Sequence, residues 1–322
     1  MHPITGLHHV SVIAGDPQRT LDFYVLGLGM RLVKRTVNQD APDTYHFFFA
    51  DGAGTPGTEL TFFPWPNMPR GRDGHGLTHE VALAVPPGSL DWWAGRLASL
   101  GVAPGAREVR FGETALPFAD PSGLRVTLVE TADPRPFVPW DASPVPADRQ
   151  IRGLHAVRLD ARDLAATARF LDAALGHTRV ATEGDVRRYA VGGAARSGAL
   201  VDVRETPGAA RGMWGVGSIH HVAFAVADDA AEREAQALVR AAGGHPTEVI
   251  DRFWFRSVYF REPGGALFEI ATDIPGFAVD EDPAHLGERL ILPPFLEPHR
   301  AQIERALPPV VTPHPEPAAA HA

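Results

Sequence analysis

The feature that most limits what this chain can fold into is an internal repeat. Four segments open alike: Leu7-His8-His9-Val10-Ser11-Val12, Thr78-His79-Glu80-Val81-Ala82-Leu83, Leu154-His155-Ala156-Val157-Arg158-Leu159 and Ile219-His220-His221-Val222-Ala223-Phe224. Each is β-rich and roughly alternating, which predicts a short strand. Each then runs into a helical stretch with its own punctuation. Asp16 precedes Pro17, with Leu21, Tyr24, Val25 and Leu28 at helical spacing. An aspartate can cap the first free N–H groups, and proline at the first helical position forfeits no hydrogen bond. Ser89 precedes the second helix and Gly101 closes it; the third runs from Asp163 to Leu175 before Gly176; the fourth runs from Asp229 to Ala242 before Gly243 and Gly244. Further strand-like runs follow, clearest as Thr247 to Phe253, Ser257 to Arg261 and Ala266 to Thr272 in the fourth unit, and as Tyr45 to Ala50 and Thr58 to Trp65 in the first. The repeating unit therefore reads βαβββ.

One such unit cannot bury both faces of its small sheet, whereas two paired units make a deep curved sheet with a shared concave face. The expected fold class is α+β: four βαβββ modules pairing into two curved mixed β-sheet cups. The modules span 4–66, 76–131, 151–206 and 216–274, with a proline-rich linker over 132–150 and a C-terminal extension over 275–322. The extension carries one predicted helix, Pro298 to Ala306, and the stretch from Pro313 to Ala322 is expected to fray.

Composition narrows the chemistry. The formal net charge is −9, and no basic stripe of the kind a nucleic-acid binder needs is present. There is no apolar run of the ~18 residues a membrane span requires. The first residues, Met1 to Gly6, lack the charged and then apolar pattern of a secretory signal, so the cytoplasm is the expected compartment. Cysteine is absent, which removes disulfides, thiolate metal sites and cysteine nucleophiles together. A bound metal would have to be held by His, Asp or Glu.

Aligning the repeats shows where such a site can form. The position of His9 corresponds to Glu80, Ala156 and His221. The position four residues after the glycine of the last strand reads Thr61, Thr127, Asp202 and Glu269. Equivalent positions in a repeat point to equivalent places, here into a cup. Modules 1 and 4 together supply His9, His221, Glu269 and Thr61, while modules 2 and 3 supply Glu80, Ala156, Asp202 and Thr127. Only the first set holds two imidazoles and a carboxylate, the donor set that suits non-haem Fe(II) and leaves coordination positions open for a substrate oxygen and O₂. Module 1 must then pair with module 4 across the chain, leaving modules 2 and 3 as the scaffold cup. Strand alternation places His8 and His9 on opposite faces; the face pattern alone leaves the inward member open, and repeat equivalence selects His9 and His221. Thr61, in the fourth position, is a poor ligand.

The chain resembles the glyoxalase/bleomycin-resistance (vicinal oxygen chelate) superfamily from Ile4 to about Gly287, and within it the ring-cleaving dioxygenases that open hydroquinones. The resemblance is carried by Ile4-Thr5-Gly6-Leu7-His8-His9, by Tyr45-His46-Phe47-Phe48-Phe49-Ala50-Asp51 with Gly54-Thr55-Pro56-Gly57-Thr58, by Gly217 to Phe224, and by Tyr259-Phe260-Arg261-Glu262-Pro263-Gly264-Gly265-Ala266-Leu267-Phe268-Glu269. It implies metal ligands at His9, His221 and Glu269, the same three reached from the repeats, and Fe(II) as the metal, with Mn(II) in some relatives. It implies substrate-binding or proton-handling roles at His8, His220, Arg252 and Tyr259, with Arg256 competing for the place of Arg252. His46 and His155 are expected to be structural, Trp254 to line the pocket, and Phe224 and Phe268 to pack in the core.

The function so implied is extradiol-type cleavage of the aromatic ring of hydroquinones with O₂ as co-substrate. The partner is a small aromatic diol, with no nucleic acid or membrane; a homo-oligomer is compatible with the sequence. Two other readings stand beside it: a glyoxalase-like metal-dependent isomerase or hydrolase, and a non-catalytic binding or resistance protein of the same fold. Catechols share the fold and the donor set, so they remain candidate substrates.

Overall fold

The computed structural model of the chain describes residues 2–132, 135–193 and 195–318. Residues 133–134 of the expected linker and 319–322 of the expected frayed end lie outside the described residues. The strands form two eight-stranded mixed sheets. The first runs Ile250–Asp251, Arg256–Arg261, Leu267–Thr272, Ile219–Val226, Ile4–Ala14, Glu59–Pro64, Ala41–Ala50, Arg31–Asn38. It thus joins module 4 to module 1 through the antiparallel pair of their opening strands. The second runs His177–Glu183, Val186–Val191, Leu200–Glu205, Gly153–Ala161, Leu77–Val85, Arg125–Glu130, Glu113–Ala119, Glu108–Arg110, and joins module 3 to module 2 in the same way. In every module the opening strand pairs in parallel with the last one. This is the expected α+β architecture of two cups, with modules 1 and 4 sharing one of them.

The helices form where the caps and spacing place them. Asp163 accepts a hydrogen bond from the Ala166 N–H at the start of Leu164–Leu175, and Gly176 ends that helix in the left-handed region at φ 64°. Asp228 caps Asp229–Ala241 through the Ala230 and Ala231 N–H groups. The first helix departs from a regular pattern: one α-turn, Pro17–Leu21, passes into a π-helical stretch, Asp22–Gly27. The wider turn still buries Leu21, Tyr24, Val25 and Leu28. The expected strand Thr247 to Phe253 shrinks to Ile250–Asp251. Phe253, at φ 74°, turns the chain there and breaks the extended run. The C-terminal helix is Arg300–Ala306, preceded by a single 3₁₀ turn at Glu297–His299.

The main core lies between the outer faces of the sheets and the helices, where Phe224 and Phe268 pack with ring centroids 5.2 Å apart. The cups are locked together at their opening strands. Leu7 N–H donates to the Gly198 carbonyl at 2.7 Å, and Leu154 N–H donates to the Gly57 carbonyl at 2.9 Å. A Cβ at Gly6 would come within 2.6 Å of the Gly198 oxygen, so only glycine permits this approach. No helix among the described residues is long and apolar enough to cross a membrane.

Candidate metal centre

The four opening strands share a device that alternation alone does not reveal. Where modules 1 and 4 pair, the register skips one residue at His8 and one at His220. Where modules 2 and 3 pair, it skips His79 and His155. Each opening strand therefore carries a β-bulge at a histidine. The extra residue cancels one step of the two-residue period. Leu7 and Val10 consequently both face the main core, while His8 and His9 both turn to the cup, each with its ring against Phe255. The expectation that His8 and His9 lie on opposite faces is thus corrected. Likewise His220 and His221 both face the cavity.

At the floor of the cup, three donor atoms converge. His9 Nε2 lies 3.1 Å from His221 Nε2 and 3.4 Å from Glu269 Oε2, and His221 Nε2 lies 2.8 Å from the same oxygen. All three residues are buried, and their ligand atoms could hold one metal ion. An ion ~2.1 Å from three donors at right angles would hold them ~3.0 Å apart, which matches this triangle. Glu269 Oε2 is buried and makes no hydrogen bond of acceptable geometry, despite its closeness to His221. It lies with the two ring nitrogens within reach of one point. The other oxygen, Oε1, accepts from Ser257 Oγ. Burial works to raise the Glu269 carboxyl, but His9 and His221 outweigh it and hold it well below the usual carboxylate range. Burial lowers His221. An ionised carboxylate is the form in which such a ligand takes up a metal.

The bulge histidines back the candidate ligands. His8 Nδ1 is 2.9 Å from His9 Nδ1, and His220 Nδ1 is 2.8 Å from His221 Nδ1. If Nε2 of His9 and His221 faces a metal, Nδ1 must carry the hydrogen and donate it to the bulge histidine, which fixes the tautomer. Burial, then the neighbouring imidazole, lowers both His8 and His220 to about 3, so both are neutral acceptors. His8 stays behind His9 and does not line the cavity; His220 does. His8, His9 and Glu59 form a second group of donors within reach of one point. Burial pushes the Glu59 carboxyl well up, however, which disfavours the charged form that a metal takes.

Above the triangle opens a cavity of about 350 Å³, walled by Phe48, Phe63, Trp254 and Phe255, with His46, Arg252 and Tyr259 as polar groups. That exceeds the ~150 Å³ that holds one benzene, so a substituted ring and a diatomic gas both have room. Arg252 takes the place that Arg256 contested. Its Nη atoms meet Asp40 at 3.1 and 2.9 Å, and its guanidinium lies 5.4 Å over the Tyr259 ring. Arg256 turns away to Asp229 at 2.6 Å. Burial and then Glu269 push the Tyr259 phenol up. His46, expected to be structural, lines this cavity and meets Thr61 Oγ1 at 3.0 Å. Thr61 also meets Ser11 Oγ at 2.6 Å. The rim residues Asn38, Gln39 and Asp40 and the wall residue Phe255 were not identified from sequence, because they lie outside the repeat-equivalent positions.

The other cup is closed by ion pairs. Asp202, equivalent to Glu269, takes a two-pronged contact from Arg188 at 2.8 and 3.0 Å. Glu80, equivalent to His9, pairs with Arg110. His155 sits 3.1 Å from Glu113 and 3.1 Å from Ser197 Oγ.

The family profile described as Glyoxalase/Bleomycin resistance protein/Dioxygenase superfamily matches residues 6–128 and 153–270. The chain belongs to that superfamily. It groups there with ring-cleaving dioxygenases. It is 41% identical over 302 residues to the Bacillus subtilis protein named "Putative ring-cleaving dioxygenase MhqO", covering 94% of this chain and 95% of the relative. It is 33% identical over 315 residues to the chlorohydroquinone/hydroquinone 1,2-dioxygenase of Sphingobium indicum, covering 94% and 96%. A crystal structure of a Bacillus subtilis protein described as a "putative dioxygenase" superposes with a TM-score of 0.90 at 39% identity, covering 98% of this chain and all of that one. Glyoxalase I of Zea mays shares the superfamily fold alone, with a TM-score of 0.62 at 18% identity over 83% of this chain and 92% of that one.

Proposed function

We propose that this superfamily member is a non-haem Fe(II)-dependent dioxygenase that opens the ring of hydroquinones by extradiol-type 1,2-cleavage with O₂. The observation that carries the reading is the one-sided triangle of His9, His221 and Glu269 at the floor of an aromatic-walled cavity. A donor set of two imidazoles and a carboxylate with a free side suits Fe(II), and Mn(II) accepts the same donors. When bound, the ion supplies Lewis acidity toward a phenolic oxygen and couples oxidation of the ring to reduction of O₂. The activity named for the Sphingobium relative supports the choice of substrate class.

The chain's own residues do the rest. Phe48, Phe63, Trp254 and Phe255 hold the ring and exclude water. Tyr259 keeps its proton at neutral pH and offers an O–H donor beside the His221 ring. Burial opposes the Arg252 cation, but Tyr259 and Asp40 outweigh it, so a fixed positive charge complements negative charge developing in the cavity. His220, held neutral, is a hydrogen-bonding partner. His8 acts through His9, orienting its ring.

The glyoxalase-like alternative draws no support from the fourth position, because the Thr61 hydroxyl is engaged with Ser11 and His46. The deciding experiment is oxygen uptake by anaerobically iron-loaded protein with hydroquinone, chlorohydroquinone, methylhydroquinone and catechol. Uptake with the hydroquinones is expected. Uptake with catechol alone would move the assignment to catechol cleavage, and none with any diphenol would end it.

A further inference from the structure

Beyond the metal triangle, the least ordinary group in the molecule is a lysine with no access to solvent. Lys34, on the strand Arg31–Asn38, is fully buried. A buried ammonium persists only where its protons are taken. The protons go to one short stretch of the C-terminal extension: the Phe277 carbonyl at 3.2 Å, Asp280 Oδ1 at 2.8 Å and the Glu281 carboxylate. The ammonium also lies 5.0 Å over the Trp254 ring. Trp254 in turn donates its Nε1–H to the Asp280 carboxylate at 3.0 Å, and its carbonyl accepts from the Gly276 N–H at 2.8 Å. The same indole walls the cavity above the candidate metal centre. Phe277 meanwhile backs Phe48, another wall residue, at a centroid distance of 5.0 Å.

We propose that Lys34, Asp280 and Glu281 form a charged clasp that makes residues 276–281 part of the substrate cavity, with Asp280 positioning the Trp254 indole and so deciding how large a ring substituent the cavity admits. The proposal rests on the reading that this cavity takes a single aromatic ring. Its physical basis is that Trp254 is held from behind on two sides, by a cation on its face and a carboxylate at its edge. A side chain so fixed is a wall of set position. Freed of one hold, it can swing and change the width of the cavity without disturbing His9, His221 or Glu269. Asp280 is a positioning residue: it touches Trp254 and Lys34 and does not line the cavity.

The test uses the full-length, iron-loaded protein, with Asp280→Asn and Trp254→Phe as variants. Oxygen uptake is measured with hydroquinone, methylhydroquinone and tert-butylhydroquinone. Iron content should match the parent in Asp280→Asn. The preference for the bulky over the unsubstituted ring should rise by about 10-fold, mostly through KM. In parallel, the Trp254 fluorescence, taken as the difference between each protein and its Trp254→Phe version, should become more accessible to acrylamide in Asp280→Asn. A merely structural clasp would lower activity equally for every ring and leave the preference unmoved; that result overturns the proposal. Should the parent take up no oxygen with any diphenol, the assignment of the reaction fails separately. The quenching measurement still decides the clasp, and unchanged Trp254 accessibility in Asp280→Asn overturns it.

Discussion

His9 Nε2 and His221 Nε2 stand 3.1 Å apart although 212 positions separate them in the chain. Their closeness follows from the antiparallel pairing of two opening strands, in which Ser11 lies opposite His221 and His9 opposite Ala223. No register shift falls between these pairs, so both rings share one face, and the bulges at His8 and His220 turn each neighbouring histidine to that face as well. With Glu269 added from the strand that runs parallel to Ile219–Val226, three donors meet that no single module could supply.

Exchanging Glu269 for Gln should strip the metal. The variant keeps the shape and the contact with Ser257 but loses the one negative charge among the three donors. Affinity for Fe(II) or Mn(II) is expected to fall by at least ~100-fold, since even residues that only orient ligands cost 10–100-fold. Metal analysis after anaerobic loading and dialysis reads this directly. Iron retained at the parent level would remove Glu269 from the centre.

The four bulge histidines should separate by what stands next to them. His220→Ala leaves His221 Nδ1 without its partner, so metal affinity should weaken by roughly 10–100-fold while the fold holds. His155→Ala, at the same bulge of the scaffold cup, removes one contact each from Ser197 and Glu113 instead, which Arg135 and Arg188 still reach. It should cost about 0.5–1.5 kcal/mol in urea unfolding and leave metal content alone. If both variants behaved alike in metal content, the bulge histidine would be shown to have no role specific to the metal cup.

Arg188→Met tests the ion-paired cup. It takes the guanidinium from Asp202 and Glu113; buried Asp202 is left with Arg158 at 3.9 Å, while Glu113 keeps His155. Removing one member of a buried pair costs about 3–5 kcal/mol, and the double change Arg188→Met with Asp202→Leu should recover much of that loss. Chemical denaturation of the three proteins measures both steps. A single variant as stable as the parent would mean that these charges do not hold the cup closed.

Stability should depend on pH through Asp120. This buried carboxyl accepts from the Tyr24 O–H at 3.0 Å and from the Ser122 and Leu124 N–H groups. Burial outweighs these bonds and raises it to about 6. Because the folded value lies above the unfolded one, its contribution is complete below the unfolded pKa of ~3.9 and is lost as pH rises through about 6. The shift corresponds to about 3 kcal/mol as an order of magnitude. In Asp120→Asn this dependence disappears, so the stability difference should move in favour of the variant between ~pH 4 and ~pH 6 and level off above ~pH 7. Urea midpoints across that range check it; a constant difference would show that Asp120 ionises normally.

Much of this protein is written along the chain. The repeat, the caps at Asp163 and Asp228, and the closing glycines dictate four βαβββ units because each rests on local chemistry. The donor set of His9, His221 and Glu269 is also legible, since equivalent positions in a repeat must share a direction, and only one pairing of modules assembles two imidazoles with an acid. Sequence could not tell which way His8 and His220 face. A bulge is an extra residue in one strand relative to its partner, so it exists only once the two strands are paired. His46 reaches the cavity, and Arg252 instead of Arg256 meets Asp40, because strands of modules 1 and 4 converge there in space. Lys34 reads as a strand lysine that would normally face water; it is buried only because residues 277–281 return over it with two carboxylates and a carbonyl. Local propensity thus sets the elements and the candidate ligands. The charges and side-chain directions around them come from contacts between parts of the chain hundreds of residues apart, which no local pattern encodes.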